Sequence, residues 1–207
     1  MSVTGLFLLL FLLVHVTVNL TSLFGAETFN RAAHFMSTHP FILVMVPVLA
    51  SGLGIHIVYA LWLSFSNLKA RGTKRYAVPQ KGTATSWAAK NMLVLGLLIA
   101  GGLTLHLFHF WSQMQLRAFT GGVEADPYSL LVYQFSHVHV VIVYLVWITS
   151  LWFHLTHGFW SAFHSLGLNN NLWIRRWQTL AYVYATLIAL GFSSIPLYFF
   201  FKQVNLL

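Results

Sequence analysis

The sequence predicts an all-α integral membrane protein, a helical bundle of five transmembrane helices forming one domain over residues 1–207. Composition, hydropathy and the placement of charge lead to that expectation. The chain is 58% hydrophobic with only 7% charged side chains, whereas soluble domains carry about 25%. Its mean hydropathy is +0.74. Five stretches lack Asp, Glu, Lys and Arg and are long enough to supply the ~20 helical residues a bilayer requires.

These stretches are Val3–Phe24, Pro40–Ser66, Asn91–Gln113, Tyr128–Ser165 and Gln178–Phe201. The first has no basic leader and exceeds the usual 7–15 residue run of a signal peptide, so it reads as a span. The second is followed by the longest polar connection, Asn67–Lys90, which holds Gly72, Pro79 and Gly82 and reads as a loop. The third ends before an outer turn, Thr120–Pro127 (TGGVEADP). The fourth is long for one crossing and is expected to tilt or project beyond the bilayer. In the fifth, Pro196 is expected to kink the helix near its outer end.

Charge orients the bundle. Lys69, Arg71, Lys74, Arg75, Lys81 and Lys90 share one connection, and Arg175 and Arg176 lie in another on the same side. The opposite side holds Arg31, Arg117, Lys202 and all the acids, Glu27, Glu124 and Asp126. By the positive-inside rule the N-terminus and basic loops are cytoplasmic and the C-terminus is outside. The net charge of +8 is therefore a topological signal, not a nucleic-acid footprint. With no cysteine, disulfides and thiolate-held iron–sulfur clusters are excluded.

Histidine is the anomalous residue, with 11 copies in a chain that has no intramembrane carboxylate. Polar side chains at membrane depth are costly and mark functional positions. Each of the first four spans carries a deep histidine and the fifth carries none. His15 lies roughly 9–14 Å, and His106 about 10 Å, from the outer ends of their helices. His56 and His154 lie about 15 and 16 Å from the inner ends. Two levels result, and paired imidazoles inside a bundle suit the axial positions of a b-type haem. Gly52, Gly102 and Gly158 each stand four residues from one of these histidines, on the same helix face, and offer a flat wall for a porphyrin. Glycine also eases plain helix contact in membranes. His109 and His157, one turn beyond His106 and His154, compete as ligands. His137 and His139 lie on different faces of the fourth span.

Several segments carry a family resemblance. HVTVN at His15–Asn19, HIVYALWLSF from His56, HLFHFW from His106 and FHLTHGFWSAFHSLG at Phe153–Gly167 occur in order, one per span. With FNRAAHFMSTHP from Phe29 and SWAAKNM from Ser86, they resemble the single-subunit, five-helix dihaem cytochrome b anchor of succinate dehydrogenases and fumarate reductases. The resemblance implies two haem b groups, an outer one distal to the partner subunits on His15 and His106 and a proximal one on His56 and His154. It favours His154 over His157, because Gly158–Phe159 follows by four residues. It implies a quinone substrate, menaquinone being the expected type, and flavoprotein and iron–sulfur partner subunits on the cytoplasmic side. It also implies a multi-pass place in the cell inner (cytoplasmic) membrane and a subunit with no dicarboxylate chemistry of its own.

Asn19, Arg31 and Lys90 are candidate haem contacts, the two cations as propionate partners. His34 and His39 on the outer side, with Glu27 and the His137/His139 pair, and Ser86 and Trp87 on the inner side are candidate quinone contacts. Some family members place an acid two residues before the fourth ligand; this chain has Trp152 there, which puts a carboxylate relay in doubt. The competing readings are the haem b anchor of a formate dehydrogenase or hydrogenase and, in another class, a haem-free proton-coupled transporter lined by histidines.

Overall fold

Lipid offers no hydrogen bonds, so a span this apolar must satisfy its own backbone, and a helix does so. The computed structural model of the chain describes residues 1–71, 87–117, 120–123, 125–168 and 170–204. In chain order, α1 is Ser2–Leu20, extended by a 3-10 turn at Thr21–Phe24. α2 is Ala26–Thr38 and α3 is Pro40–Arg71. The short α4, Trp87–Lys90, precedes α5, Met92–His106, which continues as a π-helical segment over Leu107–Leu116. α6 is Pro127–Phe135, α7 is Val138–Ser165 and α8 is Trp173–Gln203. The described residues contain five helices long and apolar enough to cross a membrane: α1 with its turn, α3, α5 with its π segment, α7 and α8.

The fourth apolar stretch differs from the single long helix expected. His137 takes an extended conformation, φ −95° and ψ 113°, and separates α6 from α7. Its Nδ1 lies 2.9 Å from the Tyr133 carbonyl, so the ring folds back over the helix it has just ended. Of α6 and α7, only α7 is long and apolar enough to span a membrane. The last helix is assigned as continuous through Pro196, which is buried.

The first outer connection is itself structured. Gly25, at φ 114°, reverses the chain in a conformation that favours glycine. α2 follows as an amphipathic helix whose Phe29 enters the core. Asn30 ties it to the start of α6: its amide donates to the Asp126 carboxylate, and its Oδ1 accepts from the Tyr128 N–H at 3.1 Å.

Packing divides between an outer and a more central cluster. Phe29, Leu131, Phe135, Val141, Tyr144, Ile195 and Phe199 fill the outer one. Leu9, Val16, Leu155, Ala185 and Ile188 fill the other. Ala181, Ala185 and Ile188 share one face of α8 and are at most 1% exposed. Small side chains on a membrane helix allow this close approach. α3 is the outlier, with no part of its apolar window buried and with Phe41, Val44, Ile55, Val58, Trp62 and Phe65 facing outward.

Candidate metal centres

The outer level joins α1 to α5. His15 and His106 face each other with ring centroids 5.8 Å apart and planes at 87°. An imidazole nitrogen binds a metal at about 2 Å, which places two ligands on opposite sides of one ion roughly 6 Å apart between centroids. The pair fits that span. Phe11 stacks on His15 at 5.1 Å, and Phe192 of α8 approaches at 5.7 Å. Phe110 and Trp147 stand 5.4 and 5.6 Å from His106. These aromatic walls suit a flat apolar group.

Polar contacts separate the candidate ligands from their neighbours. Asn19 Nδ2 donates to the His15 carbonyl at 2.8 Å and stands 3.4 Å from His15 Nδ1. Asn19 therefore contacts the ligand histidine. His106 Nδ1 is buried with no hydrogen-bond partner. His109, the competing residue, turns to Tyr144: its Nδ1 lies 3.2 Å from the hydroxyl, and the rings stack at 5.9 Å. The structure thus brings His106, and not His109, against His15.

The expected inner level is carried by His56 on α3 and His154 on α7. His56 and His157 each lie near enough to His154 to act on it electrostatically. The Nδ1 atoms of His154 and His157 are both buried without a hydrogen-bond partner. His56 Nδ1 is engaged, 3.1 Å from Thr4 Oγ1 on α1. His157 packs edge-on against Trp160 at 5.1 Å. Among the described residues no three His, Asp or Glu side chains converge on one point.

Two of the three glycines face aromatic side chains. Trp147 lies against Gly102, where a Cβ would sit 2.1 Å from its ring, and the indole donates to the Ile99 carbonyl at 3.0 Å. At Gly52 a Cβ would meet the Phe7 ring at 3.2 Å. These two glycines admit neighbouring aromatic side chains. Gly158 does stay beside its histidine, its Cβ position 4.0 Å from His154 Cδ2.

The remaining candidates lie further out. Arg31 pairs with Glu27 at 2.7 Å, and both side chains are at least 80% exposed. His34 and His39 are exposed, with His39 against Phe35 at 4.9 Å. His137 and His139, expected on different faces, meet at 5.6 Å because the chain breaks between α6 and α7. On the inner side Lys90 is exposed and Trp87 packs on Phe153, beside His154, at 5.0 Å. Ser86 lies outside the described residues. Trp152 donates from Nε1 to Thr186 Oγ1 at 3.1 Å. Sequence reasoning missed Thr4 and Tyr144. Tyr144 could have been suspected as a hydroxyl buried deep in a span, but nothing local marks Thr4.

The succinate dehydrogenase cytochrome b558 subunit of Bacillus subtilis (strain 168) is similar to this chain, 28% identical over 159 residues that cover 73% of the chain and 69% of that protein. No family model and no solved structure matches the chain.

Proposed function

We propose that the chain is the membrane-anchoring cytochrome b subunit of a succinate:quinone oxidoreductase, holding two b haems between an iron–sulfur partner and membrane quinone. The observation that carries this reading is the pairing of His15 with His106 across two helices at 5.8 Å. The similarity to a subunit named as a succinate dehydrogenase cytochrome supports the same assignment. Haem b supplies reversible one-electron transfer when bound, matched to an electron path across the bilayer.

The chain's own residues do the rest. His15 and His106 hold the outer iron, and His56 and His154 the inner one. Phe11, Phe192, Trp147 and Tyr144 keep the outer pair among aromatic rings and away from water. Quinone binding falls to donors at the outer end, where His137 and His139 meet and where His34 on α2 and His39 at its C-cap are exposed, or to Trp87 and Ser86 on the inner side. Flavoprotein and iron–sulfur subunits dock at the basic cytoplasmic face, and the N-terminus lies on that side. Without an acid at Trp152, no carboxylate relay runs beside the inner pair.

Redox titration of His106→Ala in the purified protein tests this reading. The outer haem signal disappears and the inner one remains. Loss of both signals, loss of the inner one alone, or absence of any b-type band in the unaltered protein would reject it.

A further inference from the structure

The hydroxyl of Thr4 sits between a carbonyl and an imidazole from another helix. It donates to the Met1 carbonyl at 2.9 Å and lies 3.1 Å from His56 Nδ1. A carbonyl oxygen can only accept, and a hydroxyl has one proton to give. With that proton committed to Met1, Thr4 Oγ1 is the acceptor at His56, and Nδ1 must carry the hydrogen. The tautomer is thereby fixed, and Nε2 is left with its lone pair.

We propose that Thr4 is the positioning residue of the inner haem ligand His56, orienting its ring and holding it in the one neutral tautomer that binds iron through Nε2. The inference rests on the haem reading given above. Metal-bound histidines ordinarily donate their other N–H to an oxygen, which fixes the ring and raises ligand basicity. Thr4 provides that oxygen. Thr17, the other threonine of α1, does not act this way, since its hydroxyl returns to its own helix at Leu13 O, 2.8 Å away.

The surroundings hold Thr4 in place. The Gly5 N–H also donates to Met1 O, at 2.8 Å, which anchors the carbonyl that takes the Thr4 proton. Ser2 hydrogen-bonds Ser165 at the inner end of α7, the helix that carries His154. A Cβ at Gly5 would stand 3.7 Å from His56 Cε1, so the first turn of α1 lies directly against the ring. At this level the arrangement is one-sided, because His154 Nδ1 has no hydrogen-bond partner.

The test compares Thr4→Val, which keeps the shape and removes the hydroxyl, with Thr4→Ser, which retains it. Both are made in the full chain and purified with its partner subunits. The readout is the midpoint potential and content of each haem, followed by optical redox titration. Losing the hydrogen bond lowers the basicity of His56 and disfavours the ferric form. In Thr4→Val the inner haem shifts to a more positive potential, by roughly two- to tenfold in the ferric-to-ferrous ratio at fixed potential. The outer haem is unchanged, and Thr4→Ser behaves as the unaltered protein. Selective loss of the inner haem in Thr4→Val, restored in Thr4→Ser, supports the same role. Two haems at unaltered potentials in Thr4→Val overturn the inference and leave the haem reading standing. Loss of both haems, or equal loss in Thr4→Ser, also overturns it. An unaltered protein without haem b overturns the haem reading and this inference with it.

Discussion

Asn19 and Thr4 stand near opposite ends of α1, and each touches a histidine of a different level. In the proposed arrangement α1 would serve both centres, as ligand donor to the outer one and as orienting partner to the inner one. His109 shows the converse, a histidine withdrawn from competition by its contact with Tyr144. His109→Ala is expected to retain both haems, whereas His15→Ala loses the outer one; pyridine haemochrome content of each purified variant checks this. A second expectation concerns Gly102. A Cβ there would overlap the Trp147 indole, while at Gly191 it would meet the ends of two flexible side chains, Val16 Cγ2 at 2.7 Å and Leu20 Cδ1 at 3.7 Å. Overpacking typically costs ~1–3 kcal/mol. Gly102→Ala is predicted to destabilise by that amount and Gly191→Ala by less, as read from thermal unfolding in detergent. The approach of His15 to His106 was legible from sequence because depth along a helix follows from residue count. The contacts of Thr4 and Tyr144 were not, since both reach across to other helices.

At the level of helices, the five spans were legible because uninterrupted apolar runs leave the backbone no alternative to helix. The break at His137 was hidden for the opposite reason: no glycine, proline or charge lies between Gln134 and Trp152 to announce it. α2 was obscured by its polar composition, which read only as a connection. Its attachment to α6 rests on Asp126, which accepts from the Ser129 N–H at 2.8 Å as the N-cap and also from Asn30. Partial burial pushes the Asp126 carboxyl up, but hydrogen bonds from the Ser129 side chain, the Ser129 backbone and Asn30 outweigh it, leaving it below its ordinary value of 3.8. A carboxylate with a depressed pKa stabilises the fold fully above its unfolded pKa, and that contribution fades as pH falls through the folded value. Asp126→Asn is expected to remove the acid dependence of α2–α6 docking, and Asp126→Ala to cost about 1 kcal/mol. Hydrogen exchange of the α6 amides against pH would read both.

For the molecule as a whole, α8 buries more of its face than any ligand helix except α7, yet it carries no histidine. It acts as the strut against which α1 and α7 pack. α3 contributes His56 while presenting an apolar face suited to lipid. The distribution of charge proposes a topology, and the absence of cysteine from the sequence makes it simple to probe. A cysteine introduced at Ser2 is expected to react with a membrane-impermeant maleimide from the cytoplasmic side of sealed vesicles. One at Gln203 is expected to react from the outer side; the reverse pattern would invert the assignment of the two levels to inner and outer. The measurement that bears most directly on paired histidine centres is the molar ratio of haem b to purified chain, by pyridine haemochrome against quantitative amino-acid analysis. Two haems per chain is the value that two histidine pairs require, and a ratio of zero or one would show that the pairs do not both hold iron.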